Sequence, residues 1–290
     1  MPILGAHMSI AGGLHKALLR GKSVGCKAIQ IFTGNNNQWK TRKLSTNEID
    51  LFYETREKTA INPVAAHNSY LINLASPRSY VFEKSFDAFL DELGKAELLG
   101  IPYLVMHPGS HLGNGETQGL RQIAEAIDRV HSKTTKYRVK TLLETTAGQG
   151  TNLGYRFEHL AEILKLTESR ERLGICFDTC HAFAAGYDFR TAETYRQVIK
   201  EFDKIIGLDQ LRLFHVNDSK KGLGSRIDRH EHIGSGLIGL QAFSFVLNDA
   251  KFADIPFLLE TPKCKDENGV DRDIVNLNLL KSLIKKAENK

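Results

Sequence analysis

The chain has 290 residues and a mass of 32.5 kDa; 41% of it is hydrophobic, 25% is charged, and the formal net charge is +5. No apolar run approaches the roughly 18 residues of a membrane span, and the four cysteines form no CxxC pair, so a membrane protein and a disulfide scaffold are both excluded. The opening MPILGAHMSIAGG lacks the basic region and apolar stretch of a secretory signal, which makes the cytoplasm the expected compartment.

Apolar runs alternate with helical patterns eight times. The predicted strands lie near 3–7, 27–33, 63–67, 102–107, 139–145, 173–178, 212–217 and 256–261. They are continuous apolar runs rather than alternating ones, as parallel strands covered by helices should be. Between the third and fourth, SYVFEKSFDAFLDELGKAELLG (79–100) places Phe82, Phe86, Phe89, Leu90 and Leu93 on one helical stripe, with Gly100 as its stop. RFEHLAEILKLTESRE (156–171) reads as a second helix, and KSLIKKAENK as part of a last one. The strand ends recur about every 36 residues, the spacing of a (β/α)8 TIM barrel. With no linker or low-complexity segment, residues 1–290 are expected to form one domain. NDSKKGLGSRIDRHEHIGSGL (217–237) is the longest stretch without predicted structure, and long loops inside compact domains are usually functional.

Six of these strands end in a side chain that can bind metal: PVAAH (His67), YLVMH (His107), VKTLLE (Glu144), LGICFD (Asp178), LRLFH (His215) and PFLLE (Glu260). His181, three residues after Asp178, and the Asp228-Arg-His230 segment bring the set to nine donors, five histidines and four carboxylates. A lone histidine at a strand end is most often a satisfied core or loop residue. Nine donors directed to one end of a barrel form a metal site, and this donor type suits zinc. If Glu144 bridges two ions, the set shared among three zincs leaves each with about three protein ligands and an open position, the mark of catalytic rather than structural zinc. Three Zn²⁺ would raise the formal charge from +5 to roughly +11, favouring an anionic partner. Cys180, between Asp178 and His181, and His232, spaced from His230 as His230 is from Asp228, stay open as alternative ligands. His7, at the end of strand one, is unassigned. His15, His131 and His159 fall in helical stretches expected to be exposed.

HNSYLINLA (67–75), MHPGSH (106–111), ETTAGQGTNLGY (144–155), GICFDTCHAFAAGYD (174–188) and HVNDSKKGLGSRIDRHEHIGSG (215–236) resemble the motifs of bacterial endonuclease IV. The resemblance runs from GAHMSIAGG (5–13) to LLETP (258–262). It implies a TIM barrel with its active site at the C-terminal strand ends, holding three zincs and no organic cofactor. His67, His107 and Glu144 would hold the first ion. Glu144, Asp178, His215 and Glu260 would hold the second, and His181, Asp228 and His230, rather than His232, the third. Glu144 and Glu260 are the implied catalytic carboxylates. The implied substrate is double-stranded DNA containing abasic sites, cut by a monomer on the 5′ side to leave a 3′-hydroxyl and a 5′-deoxyribose phosphate. Trimming of blocked 3′ ends needs the same chemistry. The resemblance places Tyr70 and Leu71 as wedges into the damaged duplex; in the loop TGNNNQWKTRK after strand two, which carries Asn37, Trp39 and its basic neighbours suit a groove contact by residue type. Some family members carry an arginine in that loop, where this chain has Asn35, Asn36 and Asn37. The rival reading is a metal-dependent sugar isomerase or epimerase on a related barrel, which needs neither the third donor set nor the long 217–237 loop.

Overall fold

A computed structural model describes residues 2–39 and 42–285. Ten strands appear among them. Eight close into a parallel barrel in the order β1 (Ile3–His7), β2 (Ala28–Phe32), β3 (Val64–His67), β4 (Tyr103–Met106), β5 (Lys140–Glu144), β6 (Leu173–Asp178), β7 (Leu211–His215) and β10 (Pro256–Leu259), which pairs back onto β1. Each predicted strand is present, with its ends within two residues of those expected. The remaining two, β8 (Asp218–Ser219) and β9 (His230–Glu231), form a short antiparallel ribbon. The segment expected to lack structure is therefore folded back on itself, a pairing too short to leave a periodic trace.

Helices α1 (Leu14–Ser23), α2 (Thr46–Thr59), α3 (Ser79–Leu98), α4 (Glu116–Lys133) and α5 (Phe157–Leu166) follow the first five strands. Two helices, α6 (Thr179–Ala185) and α7 (Ala192–Ile205), follow β6; α8 (Leu240–Leu247) follows the ribbon and α9 (Arg272–Leu283) follows β10. The predicted 79–100 helix is α3, with Gly100 past its end at φ +60°, a conformation that glycine adopts at little cost. The 156–171 helix stops sooner, at Leu166, and Arg170–Arg172 make a separate single turn. Of the predicted terminal helix, residues 281–283 close α9, and 286–290 lie outside the described residues.

Two apolar layers hold the architecture. Inside the barrel, Ala28, Ala65, Val105, Leu142, Cys176, Leu213 and Leu258, one from each of seven strands, form a buried plug. Between barrel and helices lies the larger layer, including Phe52, Phe89, Phe157, Phe202 and Phe243. Burial at about 25 cal/mol per Å² of apolar surface makes these layers the main stabilising term. β1 approaches β2 so closely that a Cβ at Gly5 would run into the Ala28 carbonyl. The plug fills the barrel below the strand ends, so inward-directed side chains at or just past those ends share one mouth. No described helix is long and apolar enough to cross a membrane.

Candidate metal centre

The nine predicted donors converge at that mouth, on a cleft of about 590 Å³ bordered by Tyr70, His107, His181, Asp228, His230 and Glu260. Glu144, at the end of β5, lies at the middle of the set and is fully buried. One of its oxygens, Oε2, faces His67 Nε2 at 3.0 Å and His107 Nε2 at 3.3 Å. The other, Oε1, faces His215 Nδ1 at 2.9 Å and His181 Nδ1 at 3.3 Å. Burial pushes this carboxyl up, but the histidines around it, His215 and His107 foremost, hold it well below the usual carboxylate range.

Three donor groups can be traced. His67, His107 and Glu144 have ligand atoms within 4.8 Å of one another, as do Glu144, Asp178, His215 and Glu260. The third is assembled from two elements. His181, on the first turn of α6, directs Nε2 at Asp228 Oδ2 (3.1 Å) and lies 3.3 Å from His230 Nε2. His230 in turn lies 3.4 Å from Asp228 Oδ1. Asp178 closes β6 and also caps α6, its Oδ1 accepting from the His181 N–H at 2.8 Å. That single carboxylate sets the angle between the second and third groups. Burial pulls the His181 imidazole down, yet Asp178 and Asp228 raise it well above its ordinary value.

The outer nitrogens of the histidines show that these residues suit metal. His67 Nδ1 is tied to the Asn68 carbonyl (2.7 Å), His181 Nδ1 to the Thr145 carbonyl (2.9 Å) and His230 Nδ1 to the Glu260 carbonyl (3.2 Å). His215 Nε2 is tied to the Gln30 side-chain oxygen at 2.8 Å. In these four histidines one ring nitrogen has an oxygen partner from the surrounding chain, an arrangement that orients metal-binding histidines.

Gln30 was invisible as a functional residue. It is the polar residue in the middle of AIQIF, fully buried, and besides accepting from His215 it donates to Glu260 Oε1 at 2.6 Å. A glutamine inside an otherwise apolar strand was the available signal. Asn217 does similar work, donating to Asp178 Oδ2 (2.7 Å) and accepting from the Glu260 N–H (2.7 Å). His7 lies behind this layer, 3.5 Å from Glu260 Oε1. His232 points elsewhere, its ring between Asn276 and Cys264. Cys180 does lie near Asp228 and His230, and Cys176 near Glu144 and His215, but burial pushes both thiols up to about 12.

Three comparisons locate the chain among known proteins. Residues 18–280 match the family described as xylose isomerase-like TIM barrels. A relative from Geobacter sulfurreducens, named probable endonuclease 4, is 52% identical over 99% of this chain and 96% of its own. The chain belongs to the endonuclease IV family. The solved endonuclease IV of Thermus thermophilus superposes with a TM-score of 0.85 at 36% identity, covering 97% of this chain and 98% of that one. A D-tagatose 3-epimerase-like protein, at TM-score 0.71 and 21% identity over 96% of each chain, shares the fold alone.

Of the residues expected to contact DNA, Tyr70 borders the cleft. Tyr70 is 59% exposed, its ring 5.4 Å from that of His67 and 5.9 Å from that of His107. Leu71 beside it is half-buried, and Asn37 is exposed on the loop after β2. Trp39 is half-buried against the core edge, with Lys84 Nζ 5.8 Å from its ring centre. Two expectations fail away from the mouth. His131 and His159 are buried, not exposed. His131 pairs with Ser169 Oγ and Thr141 Oγ1; His159 pairs with Glu116 and the Gly154 N–H. Both partner sets come from other elements, so the helical pattern alone could not reveal them.

Proposed function

We propose that this chain is a zinc-dependent DNA repair endonuclease, acting as a single-domain monomer in the cytoplasm. It hydrolyses the phosphodiester bond 5′ to abasic sites in duplex DNA and trims blocked 3′ ends. The observation that carries the reading is Glu144, which turns one oxygen to His67 and His107 and the other to His215, in a chain that spans its endonuclease 4 relatives almost end to end.

His67, His107 and Glu144 would hold one zinc, Glu144, Asp178, His215 and Glu260 a second, and His181, Asp228 and His230 a third. Bound there, the ions lower the pKa of water and neutralise phosphate charge, which is the chemistry phosphodiester hydrolysis requires. The chain's own residues do the rest. Glu144 and Glu260 are the catalytic carboxylates of this reading, with Gln30 and Asn217 holding Glu260 through its Oε1 and its backbone N–H. Tyr70 and Leu71 fill the gap left by the missing base, while Asn37 and Trp39 face the duplex from the neighbouring loop. An abasic nucleotide has no base to unstack, so drawing it into the cleft costs less than extruding an intact one. Water adds to phosphorus and the P–O3′ bond breaks, leaving a 3′-hydroxyl upstream and a 5′-phosphate on the deoxyribose.

The set formed by His181, Asp228 and His230 argues against a sugar isomerase, which needs two metals at most. The test is incision of a 5′-labelled duplex bearing one tetrahydrofuran abasic analogue, in magnesium-free buffer. One product ending in a 3′-hydroxyl just before the lesion is expected. No cut by folded protein carrying about three zincs, with turnover of a free ketose or aldose instead, would overturn the reading.

A further inference from the structure

Two segments meet at the rim without sharing a secondary-structure element. One is the loop after β2, carrying Asn35 to Trp39; the other is the turn after β3, carrying Tyr70 and Leu71. Ser69 joins them. Its hydroxyl donates to the Asn36 carbonyl at 2.6 Å and also accepts from the Leu71 N–H at 3.3 Å. Its own N–H donates to the Glu92 carboxylate at 3.1 and 3.3 Å. Glu92 stands in the middle of α3 and is buried under the turn, as is Ser69 itself. A carboxylate this deep inside a helix-to-barrel interface is costly unless it is used. Here it anchors a residue that couples both rim segments to the scaffold.

We infer that Ser69, backed by Glu92, is a positioning residue that makes the 35–39 loop and the Tyr70–Leu71 turn one rigid surface for opening the damaged duplex. The inference rests on the endonuclease reading. The hydrogen bonds of Ser69 run to Glu92, Asn36 and Leu71 and not to the metal donors, so its loss acts on duplex opening rather than on hydrolysis. Losing one buried hydrogen bond of this kind changes an equilibrium by about five-fold.

The experiment uses the zinc-loaded protein and an abasic-analogue duplex with 2-aminopurine beside the lesion, whose fluorescence rises as the bases unstack. Ser69→Ala is expected to raise KM about five-fold and cut the fluorescence amplitude similarly, while kcat stays within about two-fold. Glu92→Leu should behave alike. Glu92→Gln, whose amide oxygen still accepts from Ser69, should restore wild-type opening, which a loss of general stability would not do. If Ser69→Ala does not fold, the contrast between Glu92→Leu and Glu92→Gln reads the same quantity. Wild-type opening by Ser69→Ala, or an equal deficit in both Glu92 variants, overturns the inference alone. A wild-type protein that neither cuts nor opens this duplex overturns the functional reading and the inference together.

Discussion

The inner and outer halves of the donor set are held by different means. Glu144, Asp178 and His215 sit at the ends of adjacent strands with side chains 0% exposed. Asp228 and His230 reach the same space from the segment after β7, with side chains 40% and 16% exposed. The inner donors are located by the barrel itself, whose plug and register leave a strand-end side chain one place to go. The outer pair is located by a few polar contacts between loops. The Asp228 N–H donates to Gln149 at 3.1 Å, the Arg226 N–H to the Ala184 carbonyl at 2.8 Å, and the Arg226 guanidinium lies 3.9 Å above the Tyr155 ring. Arg226 takes φ +54° to do so, an uncommon conformation for a residue other than glycine. A site built this way should fail completely at its inner half and by degrees at its outer half.

Glu144→Ala tests the first claim and has the largest expected effect. Both of its oxygens serve the centre, so incision should fall by about 10³-fold or more, while the circular-dichroism spectrum of the barrel is retained. Loss of the folded signal would show that the core depends on the mouth. Asp228→Ala should cost about 10- to 100-fold in activity and release one metal per chain, read by elemental analysis, with the other ions retained. Release of all the metal would erase the distinction between the halves. Tyr155→Leu keeps the Arg226 charge but removes the ring beneath it. A cation–π contact at an exposed site is worth about 0.5–1 kcal/mol, so dissociation of the outermost metal to a chelator should quicken about three-fold. An unchanged rate would mean that Gln149 and the ribbon suffice. Asn37→Arg is expected to have the smallest effect, tightening abasic-duplex binding about three-fold at low salt and less as salt is added. Unchanged or weaker binding in a titration would rule out a phosphate contact there.

The same contrast explains what could be read from the sequence. Six donors were legible because each ends a short apolar run, and the barrel followed from eight such runs in regular alternation. His181 and the Asp228–His230 pair were legible as additions in the sequence, but the ribbon that delivers the latter was not, since β8 and β9 are two residues each. Gln30 was missed because nothing local distinguishes a functional glutamine in a strand from a tolerated one; its role appears when His215 and Glu260 arrive from elsewhere in the chain. His131 was misread for the same reason. Burial lowers its imidazole to about 4, and its hydrogen-bond partners come from β5 and from the turn after α5. Short-range periodicity reports which face of a helix is apolar, not which polar group will be satisfied inside it.

Asp218 gathers four backbone N–H groups of the outer segment, those of Ser219 (2.8 Å), Gly234 (3.0 Å), Gly236 (3.1 Å) and Ile238 (3.0 Å). The carboxylate is fully buried, and a Cβ at Gly236 would collide with it. The 217–238 stretch is thus gathered around one buried carboxyl group, with Ile233 and Ile238 packed into the core beside it. Where a metal must fold its own binding loop, as in small zinc domains, much of the binding free energy is consumed in ordering the chain. Here that ordering is already achieved by a side chain that is not among the donors, so the free energy of capturing an ion at Asp228 and His230 is left to appear as affinity.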